Sequence, residues 1–178
     1  LIYEHDVAIL MGKSVKVLKP ALDTRYADNA IVTHDRTSIE AMPVTHLGEI
    51  RELDHDVIII DEVQFFPIGI TGFIKRWLRQ GKTVVVAGLD LDYRGLPFEN
   101  MERLLPYATD VFKLKADCAY CGNVATRSIK TAGDTSRIDL GNDDKYKPVC
   151  LKCFHENERE ELAEWRKNTS THDIRSLG

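Results

Sequence analysis

Apolar positions alternate between two registers along the first two thirds of the chain. Residues 2–11 (IYEHDVAILM) read as a helix that loses its polar side toward Met11, and Val15-Lys16-Val17-Leu18 reads as a strand closed by Lys19-Pro20. Pro20 has no backbone donor, so it suits a strand end better than a strand interior. A short alternating segment falls in 38–44 and a brief helix in 48–53. Asp56-Val57-Ile58-Ile59-Ile60 is a continuous β-branched run, the pattern of a strand covered on both faces. A helix over 68–80 places Phe73, Ile74, Trp77 and Leu78 at helical spacing, with Gly81 at its C-terminal cap. Thr83–Gly88 reads as a second buried strand, 101–108 as a helix and 110–114 as a further strand. Strands alternating with helices predict an α/β domain with a parallel sheet covered by helices on both faces. The charged segment 156–166 reads as a helix, and 168–178 reads as a disordered tail. The domain plan is therefore an α/β unit over 1–115, a cysteine-bearing unit over 116–155, and a helix with tail over 156–178.

All four cysteines occur in two pairs of one spacing, Cys118-Ala119-Tyr120-Cys121 and Cys150-Leu151-Lys152-Cys153, with residues 122–149 between them. Such pairs let four thiolates grip one tetrahedral ion, so a structural Cys₄ zinc site is the favoured reading. Two disulfides would require an oxidising compartment, and no signal peptide is evident. A thioredoxin-like redox pair would leave the second pair unexplained. A closed Cys₄ site has no coordination position for a substrate, so the chemistry is sought elsewhere.

Asp61-Glu62 follows the apolar run directly. In open α/β sheets, ligands bind at the carboxyl ends of strands, so these acids face the expected site. The arrangement resembles a Walker B strand, in which the aspartate holds Mg²⁺ and a neighbouring glutamate can act as general base; two solvated caps of a turn are the plainer alternative. Gly12-Lys13-Ser14 and Gly81-Lys82-Thr83 imitate the end of a phosphate loop. Both are rejected, because Val7 and Arg76 stand where the first glycine belongs and each triplet leads into a strand. Asp23 and Arg25, past the first strand, are placed to meet a metal's water shell and a phosphate. The loop after the 83–88 strand carries Tyr93 and Phe98, aromatics that can stack on a base or simply pack.

Across 178 residues the hydrophobic fraction is 43% and the formal net charge −4. That balance argues against a protein that coats nucleic acid. No apolar run approaches the ~18 residues of a membrane span.

The segments KPALDTRY, THDRTSIEAMPV, IIIDEVQFFP, GKTVVVAGLDLDYRGLPF and CAYC…KYKPVCLKC together resemble the cytosolic (type II) thymidine kinases, in family order and covering most of the chain. The resemblance implies a P-loop-type nucleotide-binding domain with a small zinc-ribbon, or lasso, domain. It implies transfer of the ATP γ-phosphoryl group to the 5′-hydroxyl of thymidine or deoxyuridine, with ATP, Mg²⁺ and a structural Zn²⁺ as cofactors. Glu62 matches the catalytic base. Asp23, Thr24, Arg25, Asp61, Val63 and Gln64 match positions near the nucleotide and metal. Tyr93 matches the aromatic that stacks on thymine, and Phe98 a second aromatic near the nucleoside. Arg137, Ile138, Asp139, Leu140 and Gly141 fall on the lasso loop that holds the base, with Tyr146 and Ser128 as further substrate contacts. Thymidine triphosphate as feedback inhibitor, a homotetramer and a cytoplasmic location are implied in the same way. The family's phosphate loop has no counterpart here: Leu1-Ile2 aligns just after it, which leads to the expectation that an N-terminal segment is missing from the sequence. The lasso also aligns as slightly short. Two other functions remain open at this point: a zinc-ribbon nucleic-acid-binding module on an inactive α/β domain, and an ATPase that uses Asp61-Glu62 without a nucleoside.

Overall fold

The computed structural model describes residues 1–22, 30–32, 38–132 and 145–172, and divides them into two compact units. The first comprises residues 1–91 and 97–111; the second comprises 92–96 and the chain from 112 onward.

In the first unit, helix α1 (Ile2–Leu10) leads through a turn to β1 (Val15–Pro20). Two short strands, β2 (Ala30–Val32) and β3 (Ser38–Glu40), pair antiparallel beside it, and β4 (Met42–Val44) follows. A single 3₁₀ turn at Leu47–Ile50 stands where a brief helix was expected. Then come β5 (Val57–Ile60), a 3₁₀ turn at Val63–Phe65, α2 (Ile70–Arg79), β6 (Thr83–Val86) and α3 (Glu99–Leu104). Strands β4, β1, β5 and β6 form a parallel sheet in that order.

Because strand side chains alternate between faces, the β-branched runs divide into two cores. Val17, Val57 and Ile59 meet Ala8 of α1, together with Ile39 and Ala41. Leu18, Ile58 and Ile60 meet Ile70, Ile74 and Trp77 of α2, with Leu104 of α3. Both faces are thus covered, which is why β5 is apolar at every position and buried throughout. Burying each such side chain contributes about 1.5–3 kcal/mol.

Connectivity locates a ligand crevice before any side chain is considered. The chain leaves β1 toward β4 on one side of the sheet, and leaves β5 toward β6 on the other. The neighbouring strands β1 and β5 therefore define a topological switch point, and their carboxyl ends open onto the crevice. Asp61-Glu62 stands at one of those ends; Asp23, Thr24 and Arg25, after the other, lie outside the described residues.

The two phosphate-loop lookalikes occupy the opposite edge. Gly12 (φ 71°) and Gly81 (φ 76°) end α1 and α2 in left-handed conformation, a C-terminal helix signature. Ser14 donates from its amide and its hydroxyl to the carboxylate of Asp56 at 2.9 and 2.7 Å, and Lys82 Nζ reaches Asp54 and the carbonyl of His55. Those polar groups serve one another across the turns.

The second unit holds small antiparallel pairs: β7 (Ala116–Asp117) with β8 (Val124–Ala125), and β9 (Arg127–Lys130) with β10 (Tyr146–Val149). Helix α4 (Leu151–His172) begins inside the second cysteine pair, five residues before the expected start, and covers 168–172, which composition assigned to a disordered tail. The expected strand at 110–114 does not form. Val111, Phe112 and Leu114 are 56%, 86% and 90% exposed, and among the described residues no strand offers that segment a ladder. β-branched and aromatic composition does not make a strand without a partner.

Candidate functional site

The Asp61–Phe66 turn is fixed from several directions. Leu18 accepts the Asp61 amide at 2.9 Å, and Ala87 accepts the Val63 amide at 3.0 Å, tying the turn to β1 and to the end of β6. The Asp61 carboxylate accepts the amide of Glu62 at 3.0 Å. Glu62 itself has φ 49° and ψ 43°, the only positive φ outside glycine among the described residues. A side chain in this left-handed region costs of order 1–3 kcal/mol and persists only when its surroundings over-determine it. Here they do: Val63 is fully buried, Gln64 is buried, and Asn100 donates to the carbonyls of Val63 and Phe66 at 3.0 and 2.7 Å.

The half-buried Glu62 carboxylate is oriented by Gln64, whose Nε2 donates to Oε2 at 2.5 Å. Gln64 is in turn anchored through Oε1, which accepts the Leu89 amide at 3.2 Å. Gly88 makes that anchorage possible. A Cβ there would lie 2.5 Å from Gln64 Oε1 and 3.1 Å from Val63 Cγ1. Phe98, expected near the nucleoside, is buried at the start of α3 and meets Phe65 edge-on, ring centroids 6.1 Å apart.

In the second unit, Tyr93 is presented by a tight turn. Asp92, only 5% exposed, accepts the amides of Arg94 and Leu96 on Oδ1 at 3.0 and 2.9 Å, and Gly95 (φ 75°) closes the turn back onto the Asp92 carbonyl. The Tyr93 ring lies 6.4 Å from that of Tyr146, Lys130 Nζ lies 5.4 and 5.8 Å from the two ring centres, and Arg94 Nε donates to the Tyr93 hydroxyl. Two aromatic rings beside one another can offer a face on which a planar base stacks, and Lys130 lies over both as a cation–π partner. Ser128 is half-buried on β9, opposite Pro148. Residues 137–141 of the expected lasso lie outside the described residues.

The four cysteine sulfurs lie within 4.8 Å of one another. Cys121 Sγ is 3.6 Å from Cys150 Sγ and 3.7 Å from Cys153 Sγ. Those separations are far above the ~2.05 Å of a disulfide. They match the ~3.8 Å edge of a tetrahedron whose metal–sulfur bonds are ~2.3 Å. Backbone amides stabilise the thiolates: the Cys150 amide lowers the Cys118 thiol to about 6, and the Cys153 amide lowers that of Cys150. Burial beside the other sulfurs pushes Cys153 up to about 12. Four sulfurs this close cannot all ionise without a cation among them, and the cluster has the size and chemistry to hold a zinc ion. Ala125, Ile129, Val149 and Phe154 surround it.

A family model for thymidine kinase matches residues 1–154. The chain belongs to the thymidine kinase family. It is similar to a thymidine kinase of Bacteroides fragilis, 37% identical over 142 residues that cover 79% of this chain and 71% of the relative. A thymidine kinase of Rhodothermus sp. is 39% identical over 149 residues, covering 83% of this chain and 70% of that protein. Family membership makes this an enzyme of the phosphotransferase class, and the α/β unit with its parallel sheet accords with that. No helix among the described residues is long and apolar enough to cross a membrane.

Sequence reasoning did not single out the buried polar residues Asn100, Asp92 and Lys19. Asn100 lies just before the helix that the pattern predicts over 101–108, and Asp92 in the preceding loop. Lys19 is 3% exposed at the carboxyl end of β1, with Nζ 3.3 Å from the carbonyl of Ala30. A lysine so deeply buried is rare without a partner, and the one available signal was its place at the end of an apolar strand.

Proposed function

We propose that this enzyme transfers the γ-phosphoryl group of ATP to the 5′-hydroxyl of thymidine, and of deoxyuridine, with Glu62 as general base. The observation that carries this reading is the Glu62 carboxylate itself, held in left-handed backbone at the carboxyl end of a buried strand and oriented by Gln64. General-base assistance requires a carboxylate within hydrogen-bond reach of the attacking hydroxyl, held so that little reorganisation is needed. ATP with Mg²⁺ supplies the activated phosphoryl group and the neutralising charge. Asp61, Asp23, Thr24, Arg25, Val63 and Gln64 bind and orient that end of the reaction. Tyr93 stacks on the pyrimidine, and Phe98, Ser128, Tyr146 and residues 137–141 are further nucleoside contacts carried over from the family likeness.

A structural zinc at Cys118, Cys121, Cys150 and Cys153 anchors both ends of the base-binding segment. Ordering each residue of such a loop costs about 1–2 kcal/mol, part of which the ion offsets before substrate arrives. Thymidine triphosphate inhibition, a homotetramer and a cytoplasmic location belong to the same proposal and rest on family likeness. The test is direct: full-length protein with ATP, Mg²⁺ and thymidine yields thymidine monophosphate, with little ATP hydrolysis when nucleoside is left out. ATP hydrolysis indifferent to nucleoside, or no phosphorylated thymidine, contradicts the reading.

A further inference from the structure

Asn100 is 3% exposed and lies on α3, 34 to 39 residues along the chain from the Asp61–Phe66 turn that it fastens. Its Nδ2 sits 3.0 Å from the carbonyl of Val63 and 2.7 Å from that of Phe66. Both neighbours are acceptors, so the side chain has one sensible orientation: the amide nitrogen faces the turn and spends both protons there. The consequence falls on Oδ1, which is buried without a hydrogen-bond partner among the described residues. An unsatisfied buried carbonyl costs about 1–3 kcal/mol. A helix position facing a core would ordinarily be filled by an apolar residue, which carries no such penalty. The cost is accepted at a strained turn, where the Val63 carbonyl, which already takes the Phe66 amide at 3.1 Å, gains a second donor and the Phe66 carbonyl gains one.

The bridge spans the 3₁₀ turn immediately after Glu62. Val63 is the residue that follows the left-handed position, and its amide is already committed to Ala87. With both the amide and the carbonyl of Val63 pinned, the Glu62–Val63 peptide is left little freedom to rotate. That peptide sets ψ of Glu62 and hence the direction in which its carboxylate leaves the backbone. Gln64, which contacts the carboxylate, lies within the same bridged segment.

We propose that Asn100 is a positioning residue for catalysis: its buried amide locks the Glu62 turn in its left-handed conformation and so aims the Glu62 carboxylate. This rests on the reading of Glu62 as general base. A misplacement of about 1 Å at a reacting group can cost roughly 100-fold in rate. Asn100 is buried and its amide is spent on the turn, so its effect passes through Glu62 and is absent when Glu62 no longer acts.

The test is a double-mutant cycle in the full-length enzyme, combining Asn100→Ala with Glu62→Gln, together with amide hydrogen exchange. Alone, Asn100→Ala lowers kcat roughly 10- to 100-fold while the thymidine KM stays within about threefold. On the Glu62→Gln background the same substitution changes kcat by less than about twofold, because residues that act as a unit are not additive. Asn100→Ser keeps one donor, gives an intermediate kcat, and supplies the same comparisons if the alanine variant does not fold. Equal fold-losses on both backgrounds mean that Asn100 acts as general scaffolding, and overturn the proposal. Amide exchange reads the clamp without reference to turnover: faster exchange at 63–66, with 58–60 unchanged, is expected. Unchanged exchange at 63–66 overturns the proposal whatever the kinetics. A Glu62→Gln enzyme of parental kcat instead overturns the reading of Glu62, and with it the catalytic consequence of the clamp; the exchange result still decides whether the clamp exists.

Discussion

The strand-end turn of the first unit and the cysteine cluster of the second solve one problem with different materials. Each holds irregular backbone in a defined conformation. The turn is held by what lies beneath it: two apolar layers, the ladder bonds to Leu18 and Ala87, and the bridging amide of Asn100. The cysteine unit has almost nothing beneath it. Among the described residues its core numbers seven, three of them cysteines, and its sheets are pairs of short strands. A small apolar core is the circumstance in which a metal or disulfides can supply what burial does not. Precision at the strand-end turn is therefore distributed over many residues, whereas around the cysteines it is concentrated in four sulfurs.

The largest expected effect breaks the second unit alone. Structural zinc contributes about 10–16 kcal/mol to folding in small zinc-finger peptides. Cys150→Ser, or removal of the ion with a strong chelator, is expected to abolish stoichiometric zinc and strip exchange protection from Ile129 and Val149. Protection at Ile58, Ile59 and Ile60 is retained. Metal analysis and amide exchange on one sample check both halves, and a second unit that stays protected without metal contradicts the comparison.

Gly88→Ala makes the converse cut. The new Cβ falls 2.5 Å from Gln64 Oε1, and overpacking of this kind costs typically 1–3 kcal/mol. Gln64 has to give way, since Val63 beside it is fully buried. Turnover falls roughly tenfold or more, while zinc content and the protection of Ile129 and Val149 stay at parental values. Steady-state kinetics with metal analysis read the outcome, and parental kcat in this variant shows that the hold of Gln64 on Glu62 is unimportant.

Smallest of all is an electrostatic effect at the far edge of the sheet. Ser14, through its amide and then its hydroxyl, holds the Asp56 carboxyl below the usual carboxylate range. A depressed folded-state pKa contributes stability that is present above the unfolded value of about 3.9 and is lost as pH falls through the folded one. Ser14→Ala removes the hydroxyl and narrows that gap, so stability falls less steeply with acid below pH 4 than in the parent. Denaturant melts at pH 3 to 5 measure the slope. At neutral pH the catalytic rate and zinc content are unaffected.

Much of the first unit was legible because its strands are buried on both faces, which leaves an unbroken β-branched run and few competing patterns. The Val57–Ile60 strand and the acids at its end follow from that one signal, and the Trp77 helix from apolar residues at helical spacing. The cysteines were legible through spacing alone. What periodicity cannot report is a lone polar residue whose partner is distant in sequence. Asn100 is one position in a short helix, and its partners Val63 and Phe66 are defined by backbone carbonyls that any sequence would supply. Asp92 escapes for another reason: its partners are amides two and four residues on, in a loop whose conformation periodicity does not report. The 110–114 segment misled for the opposite reason: its composition is strand-like, but strand formation depends on a neighbour that the described residues do not offer it.

The central claim is that packing and hydrogen bonds in the first unit aim one carboxylate at the reacting hydroxyl. Glu62→Gln tests it most directly, since glutamine preserves size and hydrogen-bonding reach but cannot take up the proton. Measured in the full-length enzyme at saturating ATP, kcat for thymidine is predicted to fall by about 10² or more, within the range of general-base contributions. Thymidine affinity is retained, because a group that acts in the transition state affects rate and not ground-state binding. A variant that turns over within about tenfold of the parent, or that loses affinity for thymidine in proportion to its rate, contradicts the account.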